Sequence, residues 1–188
     1  MITLSAICTC LFINTTLSRK QIWLPLQHTE IEKKVMSMQH LNLPEYDIKI
    51  AEKEGKTVIL DNLRSCYVAL TPEEWVRQHF VHFLLEQLNY PKSLMANEVS
   101  INLNGMKRRC DTIVYDRTLS PRMIIEYKAP NVKIDRNVFA QISRYNIVLR
   151  VDYLVISNGM QHYCCKMDYE NNSFTFLNEI PKYEIITA

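Results

Sequence analysis

Three side chains in the middle of the chain are of types that handle a phosphodiester or a hard metal ion: Asp111, Glu126 and Lys128. Glu126 and Lys128 lie two apart at the end of an apolar run, Met123-Ile124-Ile125, so on a strand they face the same side of a sheet. The turn-forming stretch Arg117-Thr118-Leu119-Ser120-Pro121 separates that run from Asp111 to Tyr115. A turn centred between residues 118 and 119 makes cross-strand partners sum to 237, as 111 and 126 do. The simplest register therefore sets Asp111 opposite Glu126, with Cβ atoms roughly 5 Å apart. Two carboxylates at that distance repel unless something positive lies between them. Mg²⁺ fills that role with one or two carboxylates plus waters and phosphate oxygens, and Mn²⁺ is a close substitute. Lys128 then projects one pleat further along the same face. A purely structural alternative stands beside this: a Glu126–Lys128 ion pair, and an acidic pair tolerated at a sheet edge. Charges at the end of an apolar strand are costly to bury without a partner or a purpose. The residues alone leave the two readings level.

The elements that must position these groups are legible around them. Thr71-Pro72-Glu73-Glu74 is a helix start, with Thr71 as N-cap, Pro72 at N1 and Glu74 at N3 completing a capping box. The helix runs through Trp75, Phe80, Phe83, Leu84 and Leu88 until Pro91 stops it. Before it, Ile48 to Ala51 and Thr57 to Leu60 form a short hairpin around Glu-Gly-Lys. After it come strands over 97–103, ending at Asn104-Gly105, over Asp111 to Tyr115 and over Arg122 to Lys128. Asp135 caps a second helix through Phe139, Ile142 and Val148. Two strands, Asp152 to Ile156 and His162 to Lys166, follow, joined at Asn158-Gly159. Helix, three strands, helix, two strands is the order of an α/β or α+β sandwich built on a mixed sheet.

Composition bounds the function classes. A chain of 188 residues with 47% hydrophobic and 22% charged residues makes one globular domain with a sizeable core. No apolar run reaches the ~18 residues of a membrane span. Net charge is only +2, but residues 92–150 hold 11 Lys and Arg against 5 Asp and Glu. That basic middle suits a phosphate-facing surface, or an ordinary solvated face. Six cysteines without a CxxC pair point to reduced thiols and a cytoplasmic setting rather than to zinc or disulfides. His79 and His82 are spaced for a metal on a helix, yet no further ligand is near in sequence, which favours packed or surface histidines. Residues 1–40 are a poorly specified leader, and 41–188 are the domain. The apolar stretch Met1 to Asn14 lacks the basic start and cleavage site of an export signal, and Met36 or Met38 is an alternative translation start.

Asp111 followed by Glu126-Tyr127-Lys128 after a hairpin resembles the PD-(D/E)xK nuclease motif. Gln141-Ile142-Ser143-Arg144-Tyr145 resembles the Gln-x-x-x-Tyr motif of RecB-like nucleases. Thr71-Pro72-Glu73-Glu74-Trp75-Val76-Arg77-Gln78, Ile124 to Pro130 and Ser157-Asn158-Gly159 together resemble the N-terminal domain family of type I restriction enzyme R proteins, over roughly residues 40 to 180. Cys110 stands where the motif name has Pro. The resemblance implies a restriction-endonuclease-like mixed β-sheet flanked by helices. It implies a Mg²⁺-dependent deoxyribonuclease with DNA as partner, in a restriction or defence system. Asp111, Glu126 and the Tyr127 carbonyl would ligate the metal, and Lys128 would orient water or stabilise the developing charge. Gln141 and Tyr145, at i and i+4 on one helix face, would brace the site or contact DNA, with an ordinary core position as the alternative for Tyr145. Glu74 would add an acid or merely cap its helix. Lys107, Arg108, Arg109, Arg77 and Arg144 would contact nucleic acid; for Arg77 the alternative is pairing with Glu73 or Glu74, and for Lys107 to Arg109 an exposed turn. No helicase motor is expected in these residues. A nuclease-fold module that binds without cutting is the competing expectation.

Overall fold

In the computed structural model, residues 30–103 and 105–187 are described, apart from the side chains of Glu30, Leu103, Arg136, Asn137, Ala140, Gln141, Arg144 and Tyr145. Most of the stretch read as a leader, residues 1–29, lies outside them; within the remainder Glu30–Met36 is a helix, α1.

A small sheet comes first, built from β1 (Ile50–Lys53), β2 (Lys56–Asp61) and β3 (Cys66–Ala69) in antiparallel order. The expected hairpin is there, shifted by two residues at β1. Its turn is Glu54-Gly55, both at positive φ (50° and 69°), which matches the twist of flanking strands. β3 was not foreseen. Asp61 organises the turn that leads to it, accepting hydrogen bonds from the Leu63 and Arg64 N–H groups at 2.9 Å each.

Helix α2 (Pro72–Gln87) starts as expected, with Thr71 Oγ1 accepting from the Glu74 N–H at 3.0 Å. The return half of the capping box is replaced: the Glu74 carboxylate accepts from Arg77 and Gln78 instead. A 3₁₀ turn (Lys92–Leu94) leads into the main sheet. Its strands are β4 (Met95–Leu103), β5 (Met106–Tyr115), β6 (Pro121–Tyr127), β7 (Tyr153–Ser157), β8 (His162–Asp168) and β9 (Ser173–Leu177). They lie side by side in chain order, and every pair is antiparallel except β6 with β7. A parallel pair needs a crossover, and helix α3 (Arg136–Leu149) supplies it. The Asp135 carboxylate accepts from the Val138 N–H at 3.3 Å at the start of α3. A short helix α4 (Tyr183–Ile186) closes the chain, and it and β9 were not foreseen.

Strand parity divides the core into two layers. Val114, Met123, Ile125, Tyr127 and Val155 pack with Val76, Phe80 and Leu84 of α2 and with Tyr183 and Ile186 of α4. Their neighbours Ile113, Ile124, Leu154 and Ile156 pack with Val138 and Ile142 of α3 on the other face. The fold is thus a mixed sheet between helices. Val148, expected on the buried stripe of α3, is 43% exposed, so the apolar run at the end of that helix overstates its buried face. No helix among the described residues is long and apolar enough to cross a membrane.

Candidate active site

The β5–β6 ladder pairs Thr112 with Ile125, Ile113 with Ile124 and Val114 with Met123, the register with sum 237, before a bulge at Tyr115. Asp116 builds the connecting turn. Its carboxylate accepts from the Thr118 N–H at 2.8 Å, the Ser120 N–H at 3.0 Å and the Thr118 hydroxyl at 2.6 Å, and Leu119 takes φ 64°. Continued by one step, the register brings Asp111 to the Glu126–Tyr127 peptide: Asp111 Oδ2 accepts from the Tyr127 N–H at 2.8 Å. Lys128 lies one residue past β6. Its N–H donates to the Ser157 carbonyl at 2.9 Å, so the backbone stays extended beside β7. Its ammonium Nζ sits 2.6 Å from Glu126 Oε1. The ion pair weighed as the structural alternative is therefore present, and in the same place as the acidic pair.

Around Asp111 the β4–β5 ladder breaks. Pairing runs through Asn97–Thr112 and resumes at Val99–Cys110, and the intervening Glu98 takes φ 59°. That left-handed conformation is uncommon outside glycine and concentrates at functional sites. It turns Glu98 toward Arg77. The Arg77 guanidinium bonds Glu74 Oε2 at 3.0 Å, Glu98 Oε1 at 2.5 Å and Asp111 Oδ1 at 3.1 Å, and stacks 5.7 Å from the Tyr127 ring centre. Arg77 is 3% exposed. Expected at the nucleic-acid interface, it is a buried counter-ion whose fork is filled by carboxylates. Arg109, also expected there, is exposed but pairs with Glu98.

Glu74 points into the same buried cluster, accepting from Arg77 and from Gln78 Nε2 at 2.8 Å. The acid that α2 turns toward Asp111 and Lys128 is Glu73, one residue earlier. Burial raises its carboxyl, and the nearby Asp111 charge raises it further against the pull of Lys128. Sequence reasoning passed over Glu73. The available signal was spacing, since it lies three and seven residues before Val76 and Phe80, the stripe that faces the sheet.

Burial likewise raises Asp111, opposed by Arg77 and by the Tyr127 N–H. Glu126, only 3% exposed, is pushed up by burial and then by the Asp111 charge. Burial alone would pull the Lys128 ammonium down, but the Glu126 hydrogen bond and charge outweigh it and raise it. The site is a partly buried cluster in which several carboxylates feel one another. No group of three or more His, Cys, Asp or Glu is gathered for a metal among the described residues. A hydrated hard cation asks for less. One or two carboxylates are enough for Mg²⁺, and Asp111 and Glu126, brought to adjacent positions by the β5–β6 register, fit that donor set.

Lys107 and Arg108 lie exposed on the outer half of β5. The side chains of Gln141, Arg144 and Tyr145 lie outside the described residues, although α3 carries all three positions. His79 Nδ1 is 2.9 Å from the Trp75 carbonyl and His82 stacks on Tyr46, so both are engaged in packing.

No curated protein matches the sequence. A solved fragment assigned to an HsdR subunit of a type I restriction enzyme from Vibrio vulnificus YJ016 is 18% identical, with a TM-score of 0.45 over 60% of this chain and 24% of that one. This chain thus spans about a quarter of that fragment's length. Residues 72–181, which run from the start of α2 to the threshold of α4 and include the whole acidic pocket, match the model of the type I restriction enzyme R protein N terminus, and the chain belongs to that family.

Proposed function

We propose that the domain is a divalent-metal-dependent nuclease that hydrolyses DNA phosphodiester bonds at the pocket of Asp111, Glu126 and Lys128. The observation that carries the reading is the junction of β5 and β6, where the Asp111 carboxylate meets the Tyr127 N–H at 2.8 Å and the Lys128 ammonium lies 2.6 Å from Glu126. Membership of a restriction-enzyme family supports it and makes DNA the natural substrate and restriction or defence proteins the natural partners. Asp111 and Glu126 would hold Mg²⁺ or Mn²⁺, with the Tyr127 carbonyl as a further donor. Such an ion, when bound, supplies Lewis acidity toward a phosphoryl oxygen and lowers the pKa of coordinated water. Lys128 donates hydrogen bonds to the attacking water or to a non-bridging phosphate oxygen, where its fixed charge stabilises the extra negative charge of the transition state. Arg77 holds Asp111 in one orientation. Glu73 adds negative charge near Asp111 and Lys128. By the family resemblance, Gln141 and Tyr145 would brace the site or contact DNA.

Plasmid nicking tests this directly. Supercoiled DNA is expected to be nicked with millimolar Mg²⁺ and left intact in chelator. Asp111→Asn, Glu126→Gln and Lys128→Ala should each slow the reaction by about 100-fold or more under conditions where circular dichroism shows each variant still folded. Nicking that survives all three substitutions sinks the proposal.

One observation favours a second reading. Arg77 and Lys128 already supply counter-charges to Asp111 and Glu126. On that reading the domain is a catalytically silent nuclease-fold module that binds nucleic acid or a partner protein. Titration calorimetry with Mn²⁺ separates the two: millimolar or tighter binding, lost in Glu126→Gln, belongs only to the nuclease.

A further inference from the structure

β5 is longer than its place in the sheet requires. It pairs with β6 only from Thr112 onward, whereas its pairing with β4 continues outward through Val99–Cys110 to Leu103–Met106. Among the described residues, 99–103 and 106–110 therefore pair only with each other, and extend past Asp111 as a two-stranded ribbon. Val99, Ile101 and Cys110 pack one face of it into the layer formed by α3. Between and beyond them Ser100, Asn102 and Met106 to Arg109 are exposed. The turn at Gly105 stands in open space, with nothing within 4 Å of the position a Cβ would take.

The ribbon's chemistry is one-sided. Between residues 99 and 110 there are three cations, Lys107, Arg108 and Arg109, and no carboxylate. Glu98, at the base, takes up Arg109. Lys107 and Arg108 point to opposite faces because successive strand residues do. Lys107 shares the open face with Ser100 and Arg109, whereas Arg108 is on the side of Ile101 and Cys110 yet is itself exposed, so both cations stand at the outer end of the ribbon. The major groove of a duplex, ~12 Å wide, admits a two-stranded ribbon. Lys107 lies four residues from Asp111, or about 14 Å at ~3.4 Å per residue, which spans roughly four base steps.

We infer that this ribbon is a duplex-docking arm that places Lys107 and Arg108 on DNA phosphates about four base steps from the bond presented to Asp111. The distance to the cut rests on the nuclease reading; the docking itself does not. The arm sets where a duplex lies relative to the pocket and contributes affinity that carries little sequence information.

The test uses the full chain, in chelator, with a fluorescent 30-base-pair duplex (about three helical turns) titrated over a range of salt concentrations. The logarithm of the binding constant falls with the logarithm of salt by about 0.9 per phosphate contact. Lys107→Gln with Arg108→Gln should make that slope shallower by roughly 1.8. Ser100→Lys, which adds a cation opposite Arg109 on the same ribbon, should steepen it by roughly 0.9. Misfolding does not produce a gain of that kind. Slopes unmoved by both changes overturn the arm. If the parent protein neither nicks DNA nor binds Mn²⁺ while the slopes separate as expected, the arm stands and only the nuclease reading falls.

Discussion

A guanidinium surrounded by Glu74, Glu98 and Asp111 is held by charge on three sides, and its removal leaves those carboxylates facing one another in a dry pocket. Stripping one partner from a buried ionic cluster costs ~3–5 kcal/mol. Arg77→Met should therefore lower the urea midpoint by that equivalent, and Arg77→Lys should recover only part, because an ammonium lacks the planar fork. A loss under about 1 kcal/mol would mean that the cluster is hydrated rather than buried. Asp61 gives a pH-dependent counterpart. Burial would raise its carboxyl, but the Arg64 N–H, Asn97 and the Arg64 guanidinium outweigh burial and hold it below the ordinary carboxylate value of 3.8. Its stabilising contribution is accordingly complete above pH 3.8 and fades as pH falls through the lower folded-state value. Asp61→Ala should cost about 2–4 kcal/mol at pH 7, since it leaves two backbone N–H groups and Asn97 without their acceptor. The gap between variant and parent, measured by chemical denaturation, should shrink below pH 4. Equal gaps at pH 7 and pH 3 would refute the assignment. At this scale the types and spacing of Asp111, Glu126 and Lys128 were readable from the chain, and the choice between Glu73 and Glu74 was not. Adjacent helix residues differ by about 100° in direction, and only packing on the sheet decides which one looks at Lys128.

Among the elements, the β5–β6 hairpin was legible because a turn of fixed length leaves little freedom of register. α2 was legible because Thr71, Pro72 and Pro91 mark its ends chemically. β3 and β9 escaped. The four residues of β3 carry too little periodicity to read. β9 is an edge strand whose Phe174 and Phe176 are 55% and 52% exposed, so its apolar alternation does not mark a buried face. The break in β4 at Glu98 was also invisible, because it answers to Arg77, 21 residues earlier. The turn between β7 (Tyr153–Ser157) and β8 offers a sharper test. Gly159 has φ 80°, and a Cβ there would lie 2.7 Å from Leu41 Cδ2, while the Gly159 carbonyl accepts from the Asn42 N–H at 2.8 Å. Gly159→Ala should cost about 1–2 kcal/mol from the left-handed conformation alone, plus the clash with Leu41. Because the clash is specific, Leu41→Ala should be less damaging in the Gly159→Ala background than in the parent. A double-mutant cycle of melting curves reads that coupling, and strict additivity would disprove the contact.

For the molecule as a whole, alternating parity fixes which residues each helix layer covers. The sequence conveyed a mixed sheet but not its order, because cross-strand neighbours outside hairpins are set by the crossover and not by local pattern. That crossover has a temporal consequence. Val114 and Met123 are nine residues apart and can zip early, whereas Met123 must wait for Tyr153, thirty residues on. Contacts of that span form late. The backbone of Lys128 is tied to Ser157 on the far side of the crossover. A nascent or clipped chain that has made its acidic hairpin but lacks β7 thus has no partner for the lysine's backbone N–H. Whatever chemistry that ammonium serves begins only once the chain has come back around.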